Sequence, residues 1–227
     1  MRMSRATVLS LGLVIAAFAM AFFLYGRLPE SIPTHWNAEG VVDGHTPKPW
    51  GPFVLPLVMT AASVVLVAVP RISPWGFRVA RFQGVFEGIQ LAVIAFLFLL
   101  HVLVLLTGIG VPVPMTRVVP VAVGLLFMII GNYMGKFTKN FFCGIRTPWT
   151  LASDEVWLRT HRLGGRLFVL SGGIVVVAGL LGGGPVPVLA AVAVATVTPV
   201  VYSYVLYRRL EGDHRGPTDG AGSHRSA

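Results

Sequence analysis

Three observations predict an all-α polytopic membrane protein with about six transmembrane helices. Hydrophobic residues make up 55% of the 227-residue chain, charged residues only 12%, and the mean hydropathy is +0.76, above the range of soluble domains. Six segments approach the roughly 20 apolar residues that a helix needs to cross about 30 Å of hydrocarbon. The Lys and Arg residues gather on one side of those segments.

The first segment, Thr7 to Tyr25, follows a basic start with Arg2 and Arg5. It is longer than the apolar core of a signal peptide, and no small-residue cleavage site precedes Tyr25, so a retained anchor is expected. The stretch Gly26 to Gly51 carries Pro29, Pro33, Pro47 and Pro49. These prolines oppose a continuous helix and predict a compact, turn-rich external loop, with Trp36 and Trp50 suited to a membrane interface.

The next spans are expected near Phe53 to Val69, Val85 to Ile109 and Val111 to Tyr133, and the last two near Leu167 to Leu181 and Val186 to Tyr207. The turns Thr107 to Pro114 and Gly182 to Pro187 are short and rich in Gly and Pro, so spans three and four form one helical hairpin and spans five and six another.

The loop Gly135 to Arg166 has its own order. Thr147-Pro148 reads as a helix start, with Thr as cap and Pro at the first position, and Ser153-Asp154-Glu155 reads as a second. A short helix is predicted from Asp154 to Leu163, with Trp157 and His161 one turn apart on one face. Gly164-Gly165 is expected to loosen the chain before the fifth span. The Gly-rich polar tail from Glu211 is expected to be disordered. The organisation is therefore 1–51, first span plus external loop; 52–110, spans two and three; 111–210, spans four to six with the motif loop; and 211–227, tail.

With the N-terminus inside, all 18 Lys and Arg residues except Arg27, Lys48 and Arg117 are cytoplasmic. The reading is a multi-pass plasma-membrane protein with both termini in the cytoplasm. Topology and attraction to anionic membrane lipid then account for the net charge of +9, and no direct nucleic-acid partner is implied. Cys143, the only cysteine, reads as a packed or idle thiol.

Three groups of residues could carry chemistry. In the external loop, His35, Glu39, Asp43 and His45 are metal-ligand types, but Gly40 and Gly44 break the helical spacing of the first three, and no metal or cofactor is expected. His35, Trp36, Asn37 and Asp43 are better read as a folded cap that contacts itself or an external ligand. In the third span, Glu87, Gln90 and His101 share one face at about 100° per residue. This polar stripe is either structural glue or a proton or substrate path, the second being the basis of a small transporter or ion conductor. Glu87 could equally pair with Arg81 or a basic loop residue.

The third group follows the fourth span. Gly131 and Gly135 allow close helix approach, and Asn132 can hydrogen-bond a neighbouring helix. Lys136, Asn140, Arg146, Thr147, Trp149, Trp157, His161 and Arg162 follow at a density that snorkelling cations and interfacial aromatics do not explain. Ser153, Asp154 and His161 supply triad residue types in a segment better suited to capping, and no Gly-rich phosphate loop followed by Lys and Ser or Thr is present. A non-enzymatic role is expected.

The string GNYMGK (Gly131 to Lys136), Asn140, GIRTPWTL (Gly144 to Leu151), Ser153, Trp157 and Thr160-His161-Arg162 followed by Gly164 resembles the SdpI family, the bacterial immunity proteins for the sporulation-delaying-protein toxin. Leu28-Pro29, Ile32-Pro33, His35-Trp36-Asn37, Gly40, Asp43 and Lys48 resemble the uncharacterised module that often precedes that region. The resemblance implies immunity to a secreted, membrane-active peptide toxin, and signalling in which a cytoplasmic repressor protein is held at the membrane. On that analogy the external loop meets the toxin, and the residues from Asn132 to Arg162 form the docking or coupling surface.

Overall fold

The computed structural model describes residues 4–72 and 82–214. Arg2, Arg78, Arg81, Arg215 and Arg225, which the charge-based topology counted, lie outside the described residues, as does the side chain of Arg71; of the tail expected to be disordered from Glu211, residues 211–214 instead continue the last helix, and the rest lies outside the described residues. The described chain runs α1 (Arg5–Leu24), a 3₁₀ turn (Tyr25–Arg27), β1 (Ser31–Trp36), β2 (Val42–Pro47), α2 (Gly51–Ile72), α3 (Gln83–Gly108), α4 (Met115–Met134), α5 (Pro148–Ala152), α6 (Asp154–Leu181) and α7 (Pro185–His214).

All but α5 of these helices are long and apolar enough to cross a membrane. The protein is an all-α polytopic membrane protein. One end, the hairpin end, holds β1 and β2, and the other, the motif end, holds the loop between α4 and α6.

Side-chain caps start three of the helices. Ser4 caps α1 by accepting the Thr7 N–H at 3.2 Å. Thr147 and Thr150 cap α5 reciprocally, with Pro148 opening the helix. Ser153 caps α6, and Asp154 and Glu155 occupy its positive first turn. The fourth span begins at Met115 rather than Val111, because residues 111–114 belong to the turn.

Two further expectations need correction. The chain does not loosen at Gly164-Gly165: α6 is one helix of 28 residues, about 42 Å at 1.5 Å per residue, longer than the hydrocarbon alone requires. These glycines lie inside an intact ladder because they serve a helix crossing. The loop Gly26 to Gly51 is also more regular than a turn-rich cap, since β1 and β2 pair antiparallel, with Ile32 opposite Thr46 and Trp36 opposite Val42. Prolines fit there because a two-stranded ribbon has two edges, and Pro33 and Pro47 need donate nothing to a third strand.

The helices group as two bundles. In the first, α1, α2 and α3 bury Val14, Ala17, Met59 and Ile94 together. Leu28 and Ile32 close its hairpin end against Val104 and Leu105. In the second, α4 packs most closely on α6, with α7 against α6.

Glycines set the α4–α6 approach. A Cβ on Gly124 would sit 2.6 Å from the Gly172 carbonyl oxygen, and the reverse is equally true. Gly131 and Gly165 repeat the relation at 2.7 Å two turns on. Backbones meet directly there, as small residues permit where no hydrophobic driving force separates helix from lipid.

Candidate functional site

The loop 135–153 folds as a knot at the motif end, organised by two buried polar side chains. Asn140 is fully buried and uses both ends of its amide. Its Nδ2 donates to the carbonyls of Thr138 at 2.8 Å and Cys143 at 3.2 Å, while Oδ1 accepts the N–H of Phe142 at 2.8 Å and of Cys143 at 2.7 Å. No other residue type supplies two donors and a two-lone-pair acceptor in that compact form.

His161 is the second organiser, 1% exposed. Its Nε2 accepts the Ile145 N–H at 3.0 Å, so the proton sits on Nδ1, which donates to the Trp157 carbonyl at 2.8 Å. The imidazole is thereby neutral, and it stacks on the Trp157 ring at 4.0 Å. Gly144, at φ +102°, adopts a conformation open to glycine, and a Cβ there would run into His161 Nε2.

The knot also ties the bundles together. Trp157 Nε1 donates to the Phe137 carbonyl at 2.8 Å. Trp157, Phe137 and Met134 then share one apolar cluster with Val69 of α2 and Phe82 and Phe86 at the start of α3. Trp149 Nε1 donates to Ser203 Oγ, and its ring meets Tyr204 of α7 at 5.3 Å.

The expected motif residues separate by position. Asn140, Trp157 and His161 are interior, Trp149 is half-buried and Thr147 is a helix cap. Lys136, Arg146 and Arg162 are exposed on the outer face of the knot. Asn132 is exposed on α4 rather than turned toward a neighbouring helix, and Gly135, where α4 ends, lies against α6 more loosely than Gly131 does: its N would be 3.7 Å from a Cβ on Gly165, and a Cβ on Gly135 would be 4.0 Å from Arg162 Cγ. Arg146 Nη1 donates to the Phe141 carbonyl. Burial pushes the Cys143 thiol up from its ordinary range, partly offset by the Arg146 charge.

No triad forms. Ser153 Oγ accepts the Val156 N–H, Asp154 pairs with Lys139 at 2.5 Å, and both ring nitrogens of His161 are engaged by backbone.

At the hairpin end the bundles part, leaving a cleft of about 560 Å³. Its walls are Val54 and Leu55 of α2, Leu100, Leu103 and Val104 of α3, Val119 and Pro120 of α4, and Val188 and Leu189 of α7. Thr34, His35, Trp36 and Asn37 roof it. Asn37 shapes the hairpin tip by accepting the N–H of Glu39 at 3.1 Å and of Val41 at 2.9 Å. That tip reaches across to the second bundle, where Thr116 Cγ2 would lie 2.5 Å from a Cβ on Gly40.

His35 and Asp43 meet across the strands at 2.5 Å on the exposed side. Among the described residues, no three His, Cys, Asp or Glu side chains converge as a metal cage.

The third-span stripe is divided among separate partners. His101 is buried and its Nε2 bonds the Ala17 carbonyl at 3.0 Å; Glu87 accepts from Gln83 Nε2 at 2.8 Å. Gln90 is buried between them along the helix. Sequence reasoning found Gly131 but missed the cleft walls, the Ser203 partner of Trp149 and the other crossing glycines. Only the last had a readable signal: Gly124 and Gly131 on one helix, and Gly165, Gly172 and Gly179 on the next, recur at intervals of two turns.

Six helices long and apolar enough to span, with an apolar cleft at one end and a sealed polar knot at the other, define a multi-pass membrane protein. Residues 136–203 match the SdpI/YfhL protein family, and residues 12–60 match a domain of unknown function (DUF1648), so the chain joins an SdpI/YfhL region to that N-terminal module. It is 27% identical to the Immunity protein SdpI of Bacillus subtilis (strain 168) over 207 residues, covering 90% of this chain and 97% of that protein. No solved structure matches.

Proposed function

We propose that this protein confers immunity at the plasma membrane by taking part of an apolar, secreted peptide toxin into the cleft between its bundles. The cleft carries the reading, together with the likeness to an immunity protein over nearly the whole chain. Its lining holds no Asp, Glu, Lys or Arg, which suits uncharged apolar side chains, while Thr34, His35, Asn37 and Thr116 offer hydrogen bonds at the rim. About 560 Å³ falls within the range of roughly 300–1,000 Å³ typical of ligand pockets, enough for a few side chains of a peptide.

Charge supports the orientation. The hairpin end carries Arg27, Lys48 and Arg117, whereas Lys136, Lys139, Arg146, Arg159, Arg162, Arg166, Arg208 and Arg209 belong to the motif end. The motif end and both termini accordingly face the cytoplasm. The exposed Lys136, Arg146 and Arg162 then present a basic face to an acidic surface of a cytoplasmic repressor, with Asn140, Trp157 and His161 holding that face in shape. On this reading, the cleft walls from α2, α3, α4 and α7 share toxin capture under the hairpin, and the loop between α4 and α6 serves coupling.

The test is expression in a strain sensitive to such a toxin. Tolerance should rise over the empty vector, and Val188→Trp, which fills the cleft, should return it to baseline at unchanged membrane abundance. Equal tolerance with and without the protein refutes immunity. Full tolerance with the filled cleft refutes the cleft as the site.

A further inference from the structure

One buried polar set belongs to neither the cleft nor the knot. Ser10 of α1, Ser63 of α2 and Gln90 of α3 are 0%, 5% and 3% exposed. Among the described residues, Ser10 Oγ, Ser63 Oγ and Gln90 Nε2 have no hydrogen-bond partner.

Their levels coincide. Val14, Met59 and Ile94 pack in one cluster. Ser10 precedes Val14 by four residues, Gln90 precedes Ile94 by four, and Ser63 follows Met59 by four on the antiparallel α2. Each polar residue therefore lies one turn closer to the motif end than its apolar neighbour, on the same buried face. A turn further on, Phe86 and Leu66 belong to the next apolar cluster. The three form a polar layer between two apolar ones.

The serines differ from four other hydroxyls in the spans. Thr60, Thr107 and Thr196 donate to carbonyls four residues back, and Ser203 to one three back. Ser10 and Ser63 make no such bond and leave their hydroxyls to the helix interface. Lipid offers nothing in exchange, since hydrocarbon can neither donate nor accept.

We infer that Ser10, Ser63 and Gln90 form a closed binding site for water within the first bundle. One water has two donors and two acceptor lone pairs, so it can accept from the Gln90 amide and exchange hydrogen bonds with both hydroxyls, joining three helices through one guest. A larger or charged ligand does not fit the chemistry: the site has no charged side chain and is sealed above and below by Ile94, Met59 and Phe86.

The chain has two glutamines, Gln83 and Gln90, so labelling glutamine side-chain nitrogen gives two signals. Water-edited solid-state NMR on the full-length protein in lipid bilayers should transfer magnetisation from water to both. Gln83 is the exposed control. In a Ser10→Ala, Ser63→Ala variant, which removes only two oxygens, the Gln90 transfer should vanish while Gln83 persists and helix content is unchanged. A Gln90 signal dry in the native protein overturns the proposal. A Gln90 signal equally wet without the serines does so too; if the double variant loses its fold, the native measurement and each single variant decide.

Discussion

The backbone amide of Ile145 donates to Nε2 of His161 at 3.0 Å, across sixteen residues of chain, and this bond fixes the histidine in its neutral Nδ1–H form. The same ring caps the carbonyl of Trp157 and stacks on its indole. A residue that reads as a docking or catalytic candidate is thus a fastener between the loop and α6.

His161→Ala should therefore lower stability by about 1–3 kcal/mol, the cost of leaving a buried donor unpaired. His161→Gln, which keeps an acceptor, should recover part of it. Thermal unfolding in detergent measures both, and ¹⁵N NMR of the native ring should show Nε2 unprotonated near neutral pH. A doubly protonated ring there would contradict the assignment.

Gly172 and Gly173 are neighbours with opposite expected responses. An alanine Cβ at Gly172 would lie 2.6 Å from the Gly124 carbonyl oxygen, whereas at Gly173 nothing lies within 4 Å. Gly172→Ala should force α4 and α6 apart and reduce thermal stability. Gly173→Ala should be neutral or stabilise by up to about 1 kcal/mol, the helix-propensity gain over glycine. Equal melting shifts would show that the crossing is not set by backbone approach.

Asn140→Asp should weaken the knot in a pH-dependent way. An ionised carboxylate keeps the acceptor for Phe142 and Cys143 but turns an oxygen toward the Thr138 and Cys143 carbonyls that the native amide serves. Protonation restores one donor, so the variant should gain stability relative to the native protein as pH falls through the carboxyl range and lose it as pH rises. Melting curves at acidic and neutral pH test the sign; a constant difference would rule it out.

Cys143 should react slowly with maleimide in the folded protein, because burial pushes its thiol up and less thiolate is present at a given pH. The labelling rate should rise with pH on a curve displaced upward from that of the denatured chain. Arg146→Gln removes the charge that partly offsets burial and should displace it further. A curve that moves downward instead would show that Arg146 does not stabilise the thiolate.

Much of the fold was legible because lipid imposes strict local rules. Apolar length predicted six spans, Thr147-Pro148 and Ser153-Asp154-Glu155 predicted two helix starts, and the spacing of Trp157 and His161 put them on one face. Gly164-Gly165 was misread because glycine signals either a break or a close approach, and only the facing helix tells which. Gly131 beneath Gly165 makes it an approach. The hairpin was missed because its prolines and glycines carry little strand propensity; Ile32, fully buried against Leu105 and Val104, provides an apolar anchor that local sequence does not reveal.

The sequence by itself determined that this is a membrane protein, where its helices run and which loop has specific chemistry, because hydropathy, capping and charge asymmetry act over a few residues. Tertiary structure decided which motif residues are buried and which are exposed, that Leu103 and Val188 line one cleft, and that Ser10, Ser63 and Gln90 are all buried. Those facts depend on the register between helices distant in sequence, and register is set by side-chain and backbone contacts that no single segment contains.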